Sequence, residues 1–365
     1  MELERAAHLC GMLRLHFSQR ALRFNFPART SRGALAEHVA WYLHLCDDSA
    51  PDVVGVGEAA PLAGLSPDFG PEFPAAVAQL CHRFNAGAFV TFAVADAPAF
   101  VGLALPALVF AFETALLDLA RGGRRQLYAN AFSQGQATLP INGLVWMGDA
   151  AFMREQIEQK LADGYSCLKL KIGGLDFATE LAILAEIRAV ASPEKLILRV
   201  DANGAFSPAD APAKLAQLAA FRIHSIEQPL KAGQTAASAA LCRNSPLPIA
   251  LDEELIGLTD PAAQASLLDA VRPAYIVLKP TLLGGHAATR HWIALAQARG
   301  IGWWITSALE SNIGLNAVAQ LTGEYDVHGF AQGLGTGQLY HNNVVAPLHI
   351  REGHLHYDPA GTWSE

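Results

Sequence analysis

A repeated alternation of short apolar segments with amphipathic ones limits the folds open to this sequence. Strand and helix alternating at this interval predict βα units with parallel strands. The apolar segments are LPINGLVW (139–146), CLKLKI (167–172), LILRVDAN (196–203), IHSIEQP (223–229), LPIALDEE (247–254), AYIVLKP (274–280), GWWITSA (302–308) and a weaker eighth, HGFAQGL (328–334). Units of roughly this length favour a closed barrel. An open doubly wound sheet is the alternative, but no GxGxxG follows the first strand.

The segments before and after this alternation have a different pattern. Residues 12–60 have strand-like content on both sides of a polar PARTSRGAL loop, and residues 70–122 are mostly helical. The tail YHNNVVAPLHIREGHLHYDPAG is strand-like and is expected to return to the N-terminal part. We therefore predict an α/β protein, a modified TIM barrel of (β/α)7β type with an α+β capping domain. The predicted parts are the capping domain (1–125), the barrel (126–330) and the returning segment (331–365).

Composition argues against several other classes of protein. The net charge is −8 and no Lys/Arg cluster stands out, so nucleic acid is not an expected partner. The most apolar run, 96–113, is shorter than a membrane span and contains Pro98 and Pro106, which predicts buried core and no membrane partner. The five cysteines are scattered and form no CxxC, and the N-terminus lacks the apolar core of a signal peptide. A reduced, cytoplasmic location is the expectation.

Charged residues stand at the predicted strand ends. Their spacing places one group on each successive strand, and the carboxyl ends of barrel strands meet at one mouth. In chain order they are Lys169, Lys171, Asp201, Glu227, Asp252 and Lys279. We expect all six side chains to converge there.

Three carboxylates between lysines predict a metal-assisted proton transfer. Like charges raise one another's pKa, and a divalent cation removes that conflict. Oxygen ligands with room for water and substrate suit Mg²⁺. A lysine beside such a metal can act as a base next to a substrate carboxylate.

Each residue also has an ordinary interpretation when it is taken alone. Asp201 could be a turn residue, Glu227 a salt-bridge partner and Asp252 part of a solvated helix start. Lys279 could extend to the surface. Their occurrence at matching ends of consecutive units favours one functional site.

Five short motifs then resemble the enolase superfamily, specifically its muconate-lactonising subgroup. The motifs are KLK (169–171), DAN (201–203), EQP (227–229), LDE (251–253) and LKP (278–280). Within the subgroup, PARTSRGAL, GEAAPLAGLSPDF, TSALESNIGLNAVAQ and QGLGTG most resemble the o-succinylbenzoate synthases. N-acylamino acid racemases and dipeptide epimerases share the catalytic residues. Dipeptide epimerases typically carry Asp-x-Asp after the eighth strand, where this sequence reads AQGLGTG.

The resemblance implies a role for each matching residue. Lys171 would be the general base that takes the α-proton and, in a syn dehydration, returns a proton to the leaving hydroxyl. Lys169 would keep the pKa of Lys171 low and touch the substrate carboxylate. Lys279 would be the second acid/base of a racemase, or a cation that stabilises the enolate in the synthase. Asp201, Glu227 and Asp252 would bind Mg²⁺, with Mn²⁺ as a substitute.

The resemblance also implies supporting and substrate-binding residues. Asn203, Glu253 and Arg199 would orient the metal ligands. Ser307, with the backbone of Gly333, would contact the succinyl end of the substrate. Ser31 and Arg32 lie in the loop that would fold from the capping domain over the barrel.

The predicted function is therefore a metal-dependent hydro-lyase of menaquinone biosynthesis. It would convert 2-succinyl-6-hydroxy-2,4-cyclohexadiene-1-carboxylate to o-succinylbenzoate through a metal-stabilised enediolate. An N-acylamino acid racemase or dipeptide epimerase is the alternative. A non-catalytic ligand-binding barrel is a third interpretation, which the intact charged set disfavours. The expected partner is a small-molecule carboxylate substrate, and homo-oligomerisation is left open.

Overall fold

The computed structural model describes residues 11–30 and 33–364, as thirteen strands, eleven α-helices and three short 3₁₀ helices. The strands are β1 (Leu13–Thr30), β2 (Gly33–Asp47), β3 (Ala50–Ala59), β4 (Leu139–Pro140), β5 (Gly143–Val145), β6 (Cys167–Lys171), β7 (Ile197–Asp201), β8 (Ser225–Glu227), β9 (Ile249–Leu251), β10 (Tyr275–Leu278), β11 (Gly302–Ile305), β12 (Leu348–Arg351) and β13 (His354–Tyr357). The helices are α1 (Phe73–Ala86), α2 (Ala97–Val101), α3 (Pro106–Ala120), α4 (Ala150–Ala162), α5 (Phe177–Val190), α6 (Ala211–Ala219), α7 (Thr235–Asn244), α8 (Pro261–Val271), α9 (Pro280–Leu283), α10 (Gly285–Gln297) and α11 (Asn312–Thr322).

The N-terminal part is an antiparallel sheet covered by helices. Strands β1, β2 and β3 lie in that order, and α3 packs against β3. Helix α3 begins at Pro106 and is apolar nearly all round, because it also packs against α9 and α10 of the next part. Residues 106–113 of the apolar run are thus buried core, as predicted, whereas Leu103, earlier in the run, is about half exposed.

The second part is a curled parallel sheet in the order β11-β10-β9-β8-β7-β6-β5. Each strand pairs with the next one in sequence, and a helix follows each strand along the chain. The strands are buried on both faces, which explains their nearly continuous apolar sequences. The predicted βα alternation is confirmed.

The sheet closes through the weak eighth segment. The Gly333 N–H donates to the Ile305 carbonyl at 2.8 Å, next to β11. On the other side, the Asn142 N–H donates to the Gln332 carbonyl at 2.9 Å, next to β5. These two residues bridge the first and last strands, so the mouth of the barrel is ringed on all sides.

Several outer helices begin at side-chain caps that their sequences supply. Asp149, Asp176, Asp260 and Ser311 each accept a hydrogen bond from a backbone N–H in the first turn of α4, α5, α8 or α11. Such caps satisfy donors that the helix itself leaves open. They fix where each helix starts after the loop from the preceding strand.

The capping part is joined to the barrel by a buried carboxylate. Glu58, at the end of β3, accepts hydrogen bonds from the Ser311 N–H at 2.7 Å and the Gly314 N–H at 2.7 Å, at the start of α11. Burial raises the pKa of Glu58 to about 7. This contact holds the capping sheet against the rim of the barrel.

The chain after the barrel touches both parts. Strand β13 pairs with β12 on one side and with β4 on the other, and Tyr340 bridges to Phe24 of β1. A modified TIM barrel with an α+β cap is therefore confirmed as the fold, while the domain boundaries at 125 and 330 stay predictions. Among the described residues, no helix has both the length and the apolar character needed to cross a membrane.

Candidate active site

The strand ends bring the predicted charged residues together. In the parallel register, Lys171 of β6 lies beside Asp201 of β7, and Asp201 lies beside Glu227 of β8. Asp252 directly follows β9 and Lys279 directly follows β10. All of these side chains are buried or nearly so. The convergence expected from their spacing is present in the structure.

The lysines are paired with the carboxylates. Lys169 Nζ lies 2.7 and 2.6 Å from the two Glu227 oxygens and 2.9 Å from Asp201 Oδ2. Lys171 Nζ donates to Asp201 Oδ2 at 2.6 Å, and Lys279 Nζ donates to Asp252 Oδ2. The lysines on both sides of the mouth therefore neutralise the acids between them.

The pKa shifts follow from burial and from these pairs. Burial by itself would raise the pKa of Asp201, but the two lysines outweigh it and hold that pKa well below the usual range. Burial and the charge of Asp201 together raise the pKa of Glu227 well above normal. Burial opposes the charged form of Lys169, yet the surrounding carboxylates raise the pKa of its ammonium group. Asp201 is thus firmly ionised, whereas Glu227 takes up a proton more readily than an ordinary glutamate.

The donor set of this site fits a divalent cation. Asp201, Glu227 and Asp252 come from three neighbouring strands and supply only carboxylate oxygens, which suit hard ions such as Mg²⁺. Within the described residues, no three acidic, histidine or cysteine side chains are already grouped around a common point. Each carboxylate faces a lysine instead, so a cation there would take over as their counter-charge.

Asn203 connects the base to the acids. Its Oδ1 accepts from Lys171 Nζ at 2.9 Å, its N–H donates to Asp201 Oδ1 at 3.0 Å, and its Nδ2 donates to Glu253 Oε1 at 3.0 Å. Asn203 adopts φ of 44°, a left-handed conformation that asparagine tolerates better than most residues. These contacts place Asn203 and Glu253 where the predicted orienting role requires them, although that role stays a prediction.

Arg199 lies deeper in the barrel, two residues before Asp201 on the same face of β7. Its guanidinium stacks between Trp304 and Phe330, 4.4 and 4.3 Å from the ring centres, and donates to the Ala331 carbonyl at 2.7 Å. The observed contacts therefore tie β7 to the closing segment of the barrel. Its predicted role in orienting the metal ligands stays a prediction.

A small cavity of about 100 Å³ opens beside the lysines. Ser307 and Gly333 are both part of its lining, as the predicted substrate contact requires. Leu62 and Leu65 from the capping part close it from above. Ser31 and Arg32 lie outside the described residues, so their predicted role stays a prediction.

A wider cleft of about 1070 Å³ leads to Lys171 from outside. The turn after β6 forms part of its wall, where the Gly173 and Gly174 N–H groups donate to Glu180 Oε1 at 2.6 and 3.1 Å. Gly173 has φ of 87°, so this turn requires glycine. The cleft gives a small molecule a route to the base.

Two residues near the charged set were not predicted from the sequence to have a role. Gln228 is buried with φ of 40°, and its Oε1 accepts from the Asp252 N–H at 3.0 Å. It holds Asp252 in place, and its position between Glu227 and a proline was the available signal. Asn142 lines the cavity, but a single asparagine in LPINGLVW carried no spacing signal.

Comparisons with known proteins agree with this geometry. The enolase C-terminal domain-like family matches residues 152–361, more than half of the chain. An o-succinylbenzoate synthase from Desulfotalea psychrophila is 47% identical over 94% of this chain and 98% of its own. The crystal structure of MenC from Desulfotalea psychrophila LSv54 has a TM-score of 0.83 and 44% identity, covering 95% of this chain and 100% of that chain. An N-succinylamino acid racemase from Amycolatopsis sp is 28% identical over 67% of this chain and 65% of its own.

Proposed function

Because this chain belongs to the enolase C-terminal domain-like family, we propose that it is a lyase that forms o-succinylbenzoate. The substrate is 2-succinyl-6-hydroxy-2,4-cyclohexadiene-1-carboxylate, which loses water. The observation that carries this proposal is the likeness, over nearly the whole chain, to the synthase from Desulfotalea psychrophila. The paired lysines and acids at the strand ends supply groups that such a reaction needs.

Lys171 is the proposed proton carrier. As a neutral amine it takes the proton from the ring carbon that bears the carboxylate, and the electron pair of that C–H bond passes to the carboxylate-stabilised anion. The resulting Lys171 ammonium then gives its proton to the hydroxyl on the neighbouring carbon, and the C–O bond breaks to release water. Both transfers use one face of the ring, which gives a syn elimination and an aromatic product.

The other charged residues stabilise the reacting molecule. When bound to Asp201, Glu227 and Asp252, a divalent cation neutralises these acids, disfavours the ammonium form of an adjacent lysine and attracts the substrate carboxylate. We propose Mg²⁺ as this cation, with Mn²⁺ as a substitute, because the donors are all carboxylate oxygens. Lys169 contacts the substrate carboxylate, and Lys279 faces the anion as a fixed positive charge.

The direct test is dehydration of this substrate by the purified protein with Mg²⁺. The proposal expects conversion to o-succinylbenzoate, abolished by a chelator and restored by added Mg²⁺. Lys171→Met should lower kcat by about 10²- to 10⁴-fold, the range that removal of a general base gives. A protein that binds Mg²⁺ but forms no product from this substrate would refute the assignment.

A racemase is the second candidate, because Lys171 and Lys279 stand at opposite sides of the mouth. A racemase needs an acid/base on each face of the substrate, and an N-succinylamino acid racemase is among the relatives of this chain. Solvent deuterium exchange at the α-carbon of N-succinyl amino acids tests it. In Lys279→Arg, racemisation should disappear while dehydration persists, since the synthase reaction uses Lys279 only as a charge.

The cellular setting also belongs to this proposal. The described cysteines Cys46, Cys81, Cys167 and Cys242 are free thiols, which is compatible with a reducing compartment. We propose a cytoplasmic enzyme of menaquinone biosynthesis that acts on a small-molecule carboxylate. The neighbouring genes provide a simple check, since they should encode other enzymes of that pathway.

A further inference from the structure

We propose that Glu180 is a positioning residue that braces the turn after β6 and thereby holds Lys171 in place for proton transfer. This inference rests on the function proposed above, in which Lys171 carries the proton, and adds a residue to it. Glu180 lies in the first turn of α5, just after that turn in the chain. The residue is 4% exposed and lies in the wall of the wider cleft, so it acts on the reaction through its neighbours.

Three backbone N–H groups of the turn converge on one Glu180 oxygen. The N–H groups of Gly173, Gly174 and Leu175 donate to Oε1 at 2.6, 3.1 and 3.1 Å. Successive N–H groups that point to one place form a concave site for an anion, and here a carboxylate of the same chain fills it. The three bonds fix three consecutive residues, the first of them only two positions after Lys171.

The turn has no room for side chains that would stiffen it. Gly173 has φ of 87°, and a Cβ added there would lie 2.5 Å from the Ala205 Cβ. A Cβ added to Gly174 would lie 3.0 Å from the Met147 sulfur. These close approaches favour two glycines in a row, and glycine is the residue with the most backbone freedom. A brace for this turn must therefore come from another segment, and Glu180 supplies it.

The turn is connected to Lys171 by two routes. Along the chain, it begins two residues after Lys171, at the end of β6. Through space, it lies against Ala205, in the loop that also carries Asn203. Asn203 Oδ1 accepts a hydrogen bond from Lys171 Nζ at 2.9 Å. A displaced turn would therefore disturb both the backbone next to Lys171 and an acceptor of its ammonium group.

Placing a carboxylate behind this turn has a cost in stability. Burial raises the pKa of Glu180, although the three N–H groups oppose that shift. Its second oxygen, Oε2, is buried and accepts from no group in the described part of the chain. The turn itself lines an open cleft, where water could accept from its N–H groups. Satisfying these donors therefore does not require a buried carboxylate, whereas fixing the turn does.

The proposed reaction is sensitive to the position of Lys171. This amine takes a proton from a ring carbon and then gives it to the hydroxyl on the neighbouring carbon, so one nitrogen must reach two atoms on the same face of the ring. Reacting atoms have to lie about 3–3.5 Å apart, and a misplacement of about 1 Å costs about 100-fold in rate. Substrate binding depends on other groups, the cation and Lys169. Glu180 should therefore affect kcat and leave KM nearly unchanged.

The test compares two kinds of Glu180 variant in the Mg²⁺-loaded protein. The rate of dehydration is expressed per active site, counted by calorimetric titration with o-succinylbenzoate. Glu180→Leu removes both oxygens, and its kcat should fall by about 10- to 100-fold with KM near the wild-type value. Glu180→Met repeats the comparison with a side chain of similar length. Glu180→Gln keeps an oxygen that can face the turn, so it should retain most of the wild-type kcat.

A matched control comes from another helix start. Asp260 accepts from the Ala262 and Ala263 N–H groups at 3.3 and 3.0 Å at the start of α8, away from the cavity and the cleft. Asp260→Ala should lower Tm, as loss of such a cap does, and leave kcat per site unchanged. Loss of stability alone would lower the number of binding sites and not the rate at each site. The control therefore separates a weakened helix start from a misplaced base.

The outcomes separate this inference from the proposed function. An unchanged kcat per site in Glu180→Leu and Glu180→Met would overturn the role of Glu180 alone. An equal loss of kcat in Glu180→Gln would also overturn it, because that variant retains the oxygen that braces the turn. A raised KM with an unchanged kcat would assign Glu180 to substrate binding and contradict the inference. Failure of the wild type to form o-succinylbenzoate would overturn the proposed function and this inference together.

Discussion

Replacing Lys169 by methionine tests whether this lysine stabilises the folded protein by neutralising the buried carboxylates of the site. Lys169 is 7% exposed and donates to both Glu227 oxygens, with Asp201 Oδ2 at 2.9 Å. Methionine keeps much of the side-chain volume and removes the charge. The change leaves two buried carboxylates with one fewer counter-charge.

The expected loss of stability is substantial. Removing one partner of a buried ion pair costs about 3–5 kcal/mol, because the remaining charge stays buried. With about 2.1 cal/mol/K of unfolding entropy per residue, a cooperative unit of 365 residues loses about 1 °C of Tm per 0.8 kcal/mol. We therefore expect Tm to fall by about 4–7 °C in metal-free protein.

The pH dependence of this loss can be derived from Glu227. Its pKa is raised in the folded protein, and removal of Lys169 raises it further. A raised pKa means that the folded state holds its proton to higher pH than the unfolded state, so stability falls as pH rises through the window between the two values. The Tm difference between variant and wild type should be larger at pH 8 than at pH 6.

Thermal melts with and without Mg²⁺ measure this prediction. The cation should raise the Tm of Lys169→Met more than that of the wild type, because it replaces the missing positive charge. Exposed Lys195 gives a matched control, since Lys195→Met should leave Tm nearly unchanged. Equal Tm values for Lys169→Met and wild type at pH 8 without metal would refute the argument that Lys169 neutralises the acids.

Three other perturbations test separate parts of the structure. Glu113→Gln replaces a fully buried carboxylate, and burial raises the pKa of Glu113 to about 7. The free energy of unfolding of the wild type therefore falls as pH rises from about 4.5 to 7, where the folded protein must ionise this group. In melts at several pH values, the variant should be more stable than the wild type by about 3 kcal/mol at pH 8, and this gain should vanish toward pH 4. Gln228→Ala removes the oxygen that accepts a hydrogen bond from the Asp252 N–H. Metal affinity, measured by titration, should fall by about 10- to 100-fold. An unchanged affinity would mean that other contacts fix Asp252. Glu58→Ala removes the acceptor of two backbone N–H groups at the start of α11. The change should lower Tm, and it should raise KM because the capping part is held less firmly over the cavity. A lowered Tm with an unchanged KM would show that this contact does not affect substrate binding.

The barrel and the position of its charged residues could be predicted from the sequence because one rule, the alternation of strands and helices, applies to the whole second half of the chain. The βα alternation predicts parallel strands, and parallel strands fix where their carboxyl ends lie. The convergence of Lys171, Asp201 and Glu227 follows from that rule and from strand spacing alone. The family resemblance then assigned a function to a set of charges that geometry had already placed together.

The contacts that depend on single side-chain orientations were not predictable in this way. The weak eighth segment is paired only at Gln332 and Gly333, and the adjacent strands supply its hydrogen-bond partners. The Ser307 hydroxyl looked available for substrate, yet Glu310, Thr336 and the Leu309 N–H occupy it. Such saturation depends on chain segments that are far apart in sequence.

The same limit applies to Asn142 and Gln228. Each is one polar residue in an apolar stretch, and no period or motif distinguishes it from a satisfied core residue. Only the contacts reveal the difference: Gln228 accepts from the Asp252 N–H, while the Asn142 oxygen lacks a donor within the described residues. The burial and the hydrogen-bond partners of these two side chains therefore distinguish them, whereas the sequence pattern does not.

The central claim is that this protein dehydrates rather than racemises. The most direct measurement compares kcat/KM for dehydration of 2-succinyl-6-hydroxy-2,4-cyclohexadiene-1-carboxylate with kcat/KM for racemisation of N-succinyl amino acids, using one Mg²⁺-loaded preparation. The likeness to an o-succinylbenzoate synthase predicts a higher constant for dehydration, which should be lost in Lys171→Met because Lys171 is the proposed base. An equal or higher constant for racemisation would contradict the claim.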